Sequence, residues 1–232
     1  MIDIIYSPTW FYGKDIVFDI INVFVLFLIV FFVRKYYKLA EKKNYLYLAI
    51  SFFMVGVSFL FKIMMNFTIY YHILETRDFG IVTFTYHTMR SSDTLFFVGF
   101  LLYRLLTLCG LYLLYLAYER QPPAMVIFTI YLMSVLTYFS QSAYHIFHLT
   151  SLFLMVLIVW QQYRIYRRNN YSSTKLLMLS FSILIISQVL FIFMQVERLL
   201  YAIAEIIQLA GYLLLLATFL RVLRHDKKKV KS

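Results

Sequence analysis

Two ionisable residues stand deep inside leucine-rich segments, Arg104 within LLYRLLTLCGLYLLYL and Glu205 within ERLLYAIAEIIQLAGYLLLLATFLRVLR. A charge at the centre of a bilayer costs at least about 2.5–3.5 kcal/mol on insertion scales, so such groups face the bundle interior and find partners. The expectation is a buried bridge between Arg104 and Glu205. Asp19, Asn22, Lys62, Asn66, Thr107 and Gln208, also inside apolar segments, would rim a ligand pocket opening outward from that bridge. An Arg–Glu pair between helices equally serves packing and register with no ligand at all.

A second chemistry is written in His145 and His148, which at i and i+3 share one helix face and could ligate a metal with Asp19 as a third donor. Two histidines near an outer interface more commonly hydrogen-bond to neighbouring helices. Cys109 is the single cysteine, which leaves no disulfide framework and no thiol-rich metal site. Membrane hydrolases of the ceramidase and progestin-receptor-like type use more His and Asp ligands in fixed motifs, absent here, so the reading is non-enzymatic with no cofactor.

The elements that must position these residues follow from composition. The 232 residues are 62% hydrophobic and 14% charged, whereas a soluble domain has about 45–50% apolar and about 25% charged residues. Crossing a hydrocarbon core takes about 20 apolar residues. The chain divides into an all-α bundle of seven such helices, at about 16–34, 45–72, 93–118, 124–141, 143–166, 174–195 and 199–222, followed by a basic tail over 223–232. This single transmembrane domain occupies 1–232 and leaves no room for a soluble catalytic or DNA-binding domain. The three prolines, 8, 122 and 123, fall outside every span; Pro122-Pro123 marks the turn before the fourth helix.

The net charge of +11 does not point to nucleic acid, because the basic residues cluster beside apolar segments, where topology and anionic lipid account for them. Arg34, Lys35, Lys38, Lys42 and Lys43, then Arg120, then Arg164, Arg167, Arg168 and Lys175, and finally the tail, lie on one side; Lys14, Arg77, Arg90 and Arg198 lie on the other. The positive-inside rule then puts the N-terminus outside and the C-terminus in the cytoplasm of a multi-pass cell-membrane protein. The start, MIDIIYSPTWFYGKD, lacks a signal peptide's positive region, so the first helix is expected to be retained.

An internal repeat is also expected. Shifting the chain by 126 lays LFLIVFFVRKYYKLAEKKN over LFLMVLIVWQQYRIYRRNN; shifts of 129 and 101 align the second helix with the sixth and the third with the seventh. Helices 1-2-3 thus match 5-6-7, with the fourth as an inverting linker, a 3+1+3 pseudo-two-fold plan of a kind known in membranes. In that alignment Arg104 corresponds to Glu205, Thr107 to Gln208, Asp19 to His145 and Asn22 to His148.

Seven apolar helices, an outside N-terminus and a 3+1+3 pattern resemble rhodopsin-like and receptor-like seven-helix proteins and the seven-helix sensor regions of prokaryotes, over nearly the whole chain but with no family-specific motif. The likeness to retinal proteins breaks on helix 7, where no lysine occurs between Lys175 and Lys227, so no retinal is expected. Lys62 instead snorkels outward or pairs with an acid such as Asp19. The 3+1+3 plan is similar to sugar-transporting families too, but those use helix prolines that this chain lacks. The resemblance implies a sensor binding a small or lipid-like ligand and relaying to a cytoplasmic signalling partner. Alternatives are a transporter or permease subunit, or a structural subunit of a membrane complex. High Ile, Phe, Lys and Tyr content with short loops suits a prokaryotic source.

Overall fold

Long apolar runs free of proline satisfy their backbone in lipid as helices, and the described apolar runs of this chain do so. The computed structural model describes the backbone of residues 8–11, 13–41, 43–78, 85–119, 121–140 and 143–229, and the side chains of all of these except 9, 39–40, 69–93, 169 and 223–229. Among the described residues a 3-10 turn precedes seven helices: α1 (Lys14–Ala40), α2 (Lys43–Asp78), α3 (Thr85–Leu116), α4 (Pro123–Phe139), α5 (Tyr144–Asn169), α6 (Ser172–Ile192) and α7 (Leu199–Lys229). Several helices run beyond the apolar limits read from sequence. In α1 the basic stretch Arg34–Lys38 stays helical, since Lys and Arg are good helix formers and hydropathy marks the membrane rather than the helix.

Six of the seven are long and apolar enough to cross a membrane. The exception is α4, with 17 residues. It reaches about 25 Å at about 1.5 Å per residue, short of a hydrocarbon core about 30 Å thick. Pro123 opens it at the first helical position, where a missing N–H costs nothing.

Each helix packs on the next in sequence, α7 closes back on α1, and α3 contacts α5 directly. The described residues therefore form a ring in the order α1, α2, α3, α5, α6, α7, with α4 set against α3 and α5. Phe24, Phe31, Phe67, Phe153 and Val196 are exposed on the outside, while Asp19, Asn22, Ser58, Ser187 and Glu205 are buried within. A surface so apolar around an interior so polar reads as lipid-facing.

Two glycines let the helices approach closely. A Cβ on Gly110 would lie 2.7 Å from Val55 Cγ2 and 3.0 Å from the Ser51 carbonyl oxygen on α2; one on Gly211 would lie 2.6 Å from Leu184 Cδ2 on α6. Small residues at helix contacts serve this purpose in membranes.

α1 and α7 run parallel and in register. Phe11 meets Tyr201 at one end with ring centroids 6.3 Å apart. At the other, the Tyr36 hydroxyl donates to the Val222 carbonyl at 3.3 Å, across a separation of 186 residues.

Candidate functional site

That same separation of 186 places Asp19 of α1 opposite Glu205 of α7, and Lys62 of α2 reaches between them. Its ammonium donates to Asp19 Oδ1 at 2.8 Å and to Glu205 Oε1 at 2.5 Å, so the two accepting oxygens are no farther apart than these distances together. Asp19 and Glu205 are 0% exposed and Lys62 is 5%. Lys62 Nζ also lies 5.4 Å from the centre of the Phe59 ring. In a low-dielectric interior such hydrogen-bonded pairing is what makes the burial of charge tolerable.

The antiparallel α1–α2 hairpin extends the cluster by helical turns. Asp15 precedes Asp19 by four residues and Asn66 follows Lys62 by four, which puts each pair on one helix face. Asn66 Nδ2 donates to Asp19 Oδ2 at 3.3 Å and to Asp15 Oδ2 at 3.4 Å. One turn to the other side, the Thr107 hydroxyl donates to Ser58 Oγ at 2.8 Å, tying α3 to α2. Sequence reasoning missed Asp15 by starting the first helix two residues late, and missed Ser58, where the i, i+4 spacing from Lys62 was the available signal.

The expected bridge between Arg104 and Glu205 is not formed. Both side chains do lie in the interior, but Glu205 bonds Lys62, while Arg104 Nη1 donates to the Ser140 carbonyl at 2.7 Å. Its guanidinium carbon lies 3.9 Å from the Phe100 ring centre and 5.1 Å from that of Phe147. The physical reason is the ring itself. α3 and α7 stand across it from one another, whereas α7 is seated beside α1, next to Lys62. Arg104 instead meets a carbonyl at the C-terminal end of α4, where the helix dipole favours a cation.

The histidine site is not assembled either. His145 is exposed. His148 is buried, with Nδ1 2.9 Å from Gln188 Oε1 and its ring stacked on Phe191 at 5.0 Å. Asp19 is engaged by Lys62 and Asn66, and among the described residues no three His, Cys, Asp or Glu gather as a metal site. Successive inward turns of α5 cannot aim positions 145 and 148 at one ion when one faces outward.

Asn22 and Gln208 are buried one turn farther along α1 and α7, with Asn22 Oδ1 and Nδ2, Gln208 Oε1 and the second Glu205 oxygen, Oε2, without hydrogen-bond partners. The side chains of residues 69–93 and of the basic tail from 223 onward lie outside the described residues. No protein-family model, curated protein or solved structure matches the chain.

Proposed function

We propose that this multi-pass membrane protein is a receptor-like sensor of the cell membrane, with the N-terminus outside, the C-terminus in the cytoplasm, and a separate cytoplasmic partner on the basic tail. The observation that carries this reading is the buried Asp19–Lys62–Glu205 cluster. It joins α1, α2 and α7 at one point of a closed ring, and α7 continues past the span to Lys229. Burying three ionised groups costs several kcal/mol each before their mutual attraction is counted, so a small or lipid-like ligand that competes for one of them from the outer side has leverage on α7. The basic sequence of the tail, with Lys227, Lys228 and Lys229, suits attraction to a protein partner or to anionic lipid.

The parallel 3+1+3 relation belongs to this proposal. Under the alignment of the halves, Val55 corresponds to Leu184 and Gly110 to Gly211, and these are the residues that approach closely within each half. That agreement supports two related three-helix units flanking α4.

The test is affinity purification of the tagged protein from its host with wild-type and Lys62→Met chains. A sensor yields a cytoplasmic signalling protein whose retention changes when the cluster is broken; a partner retained equally by both, or none, overturns it. A transporter is the second reading, favoured by the surplus of acid over base in the cluster, which suits a carried proton or cation. Uptake into proteoliposomes that requires Glu205 would select it.

A further inference from the structure

The cluster holds more carboxyls than its lysine can neutralise if all are ionised. Asp19 and Glu205 face one ammonium, and the oxygen of Glu205 not used by Lys62 has no partner. With both carboxylates ionised one negative charge is left over, and in a membrane interior such a charge demands a counter-charge.

The register of α1 and α7 says where it would sit. Tyr36 meets Val222, and Asp19 meets Glu205 through Lys62, at the same separation of 186 residues; the same offset sets Asn22 opposite Gln208. These two carboxamides lie three residues beyond Asp19 and Glu205, hence on the same faces and about 4.5 Å farther along the helices. Asn22 is 0% exposed, Gln208 4% and Glu205 0%. Asn22 Oδ1, Gln208 Oε1 and Glu205 Oε2 are all acceptors without a hydrogen bond. Leaving a buried polar atom unsatisfied costs about 1–3 kcal/mol, and three oxygens on adjacent turns of two neighbouring helices share one remedy.

We propose that Glu205 Oε2, Asn22 Oδ1 and Gln208 Oε1 bind a partly dehydrated monovalent cation, sodium by size and hardness, between α1 and α7. Hard cations take carboxylate and amide oxygens. A divalent ion would bring two charges where one is needed, and calcium takes six to eight oxygens. The cation sits on the side of Glu205 away from Lys62, so the ammonium and the ion share the carboxylate without contact. A water in the ion's shell accepts from Asn22 Nδ2, the remaining unpartnered atom of that side chain. The site rests on the same cluster as the sensor reading but not on any relay.

The experiment is thermal unfolding of the purified full chain in detergent, titrating NaCl against choline chloride at constant ionic strength, repeated at each of several pH values. The expected result is a saturable rise in Tm with sodium, on the order of 5 °C, lost in Asn22→Leu and reduced in Glu205→Gln, which keeps an oxygen but removes the charge. His145→Ala, on the exposed side of α5, keeps the full response. Superimposed sodium and choline curves for the wild type overturn the proposal whether or not the variants fold. So does a sodium response that survives both substitutions, or stabilisation by acid alone with no sodium effect, which would assign the counter-charge to a proton. A sodium response without a cytoplasmic partner sinks the relay and leaves the site standing; a partner without a sodium response does the reverse.

Discussion

The halves α1–α3 and α5–α7 share their packing and differ in their chemistry. Each begins with a hairpin turned on a residue in the left-handed region, Glu41 (φ 50) in one and Asn170 (φ 52) in the other, and in each that residue's N–H returns to a tyrosine carbonyl, of Tyr37 and of Tyr166. Each ends with a glycine against a branched side chain, Gly110 on Val55 and Gly211 on Leu184. Yet the first half buries Asp15, Asp19, Lys62 and Arg104, while in the second the buried polar contacts run through His148 and Gln188 and through the Ser187 hydroxyl, which donates to the Ala204 carbonyl at 3.0 Å. Among the described residues, the one buried acid of the second half, Glu205, leaves it for Lys62. Packing geometry and polar chemistry are thus separable here, and the charge of one half is completed by the other.

The comparison breaks most visibly at Lys62. Lys62→Met leaves Asp19 and Glu205 facing each other and should cost about 3–5 kcal/mol, the usual penalty for removing one member of a buried ion pair, read as folded yield and Tm in detergent. Replacing Lys62 and Glu205 together should cost less than the two single changes summed, whereas Arg104 and Glu205 changes should add to within about 0.5 kcal/mol, being in separate networks. Strong coupling between Arg104 and Glu205 would contradict the seating of α7.

Glycine tests the shared part. Gly110→Ala and Gly211→Ala should each destabilise by about 1–3 kcal/mol through overpacking. The first should be the worse, because its Cβ meets backbone at the Ser51 carbonyl as well as Val55, while Leu184 can turn aside. Trimming Leu184 to Ala should rescue Gly211→Ala in thermal melts. In the second half, Gln188→Leu strips His148 of its partner at about 1–3 kcal/mol, measured the same way. His145→Ala, at an exposed position, should fall within about 0.5 kcal/mol of wild type.

Helix number and rough limits were legible because hydropathy and proline placement act locally. The inward-facing polar set was legible too, since lipid tolerates few such residues on its side: Asp19, Asn22, Lys62, Asn66, Arg104, Thr107, Gln208 and Glu205 are all buried. Partner choice was not. Matching Arg104 to Glu205 by symmetry selected positions half a ring apart, whereas hydrogen bonds join neighbours. Lys62 carried the better signal, one base among more acids, and its pairing with Asp19 was among the options its own surroundings allowed. The shortness of α4 was legible in its length, since the apolar stretch ends at Phe139 before Ser140 and Gln141, where the helix also stops.

Lys62 has a consequence for the order in which the chain is made. Asp19 and Lys62 emerge from the ribosome in the first hairpin and can neutralise each other as soon as it enters the bilayer. Glu205 arrives last, on a helix with no internal base at its depth, and its receptor is already in place. A chain cut short before α7 therefore keeps a self-compensated hairpin but an open ring, and the final helix acts as the keystone whose single acid is recognised by a lysine synthesised 143 residues earlier.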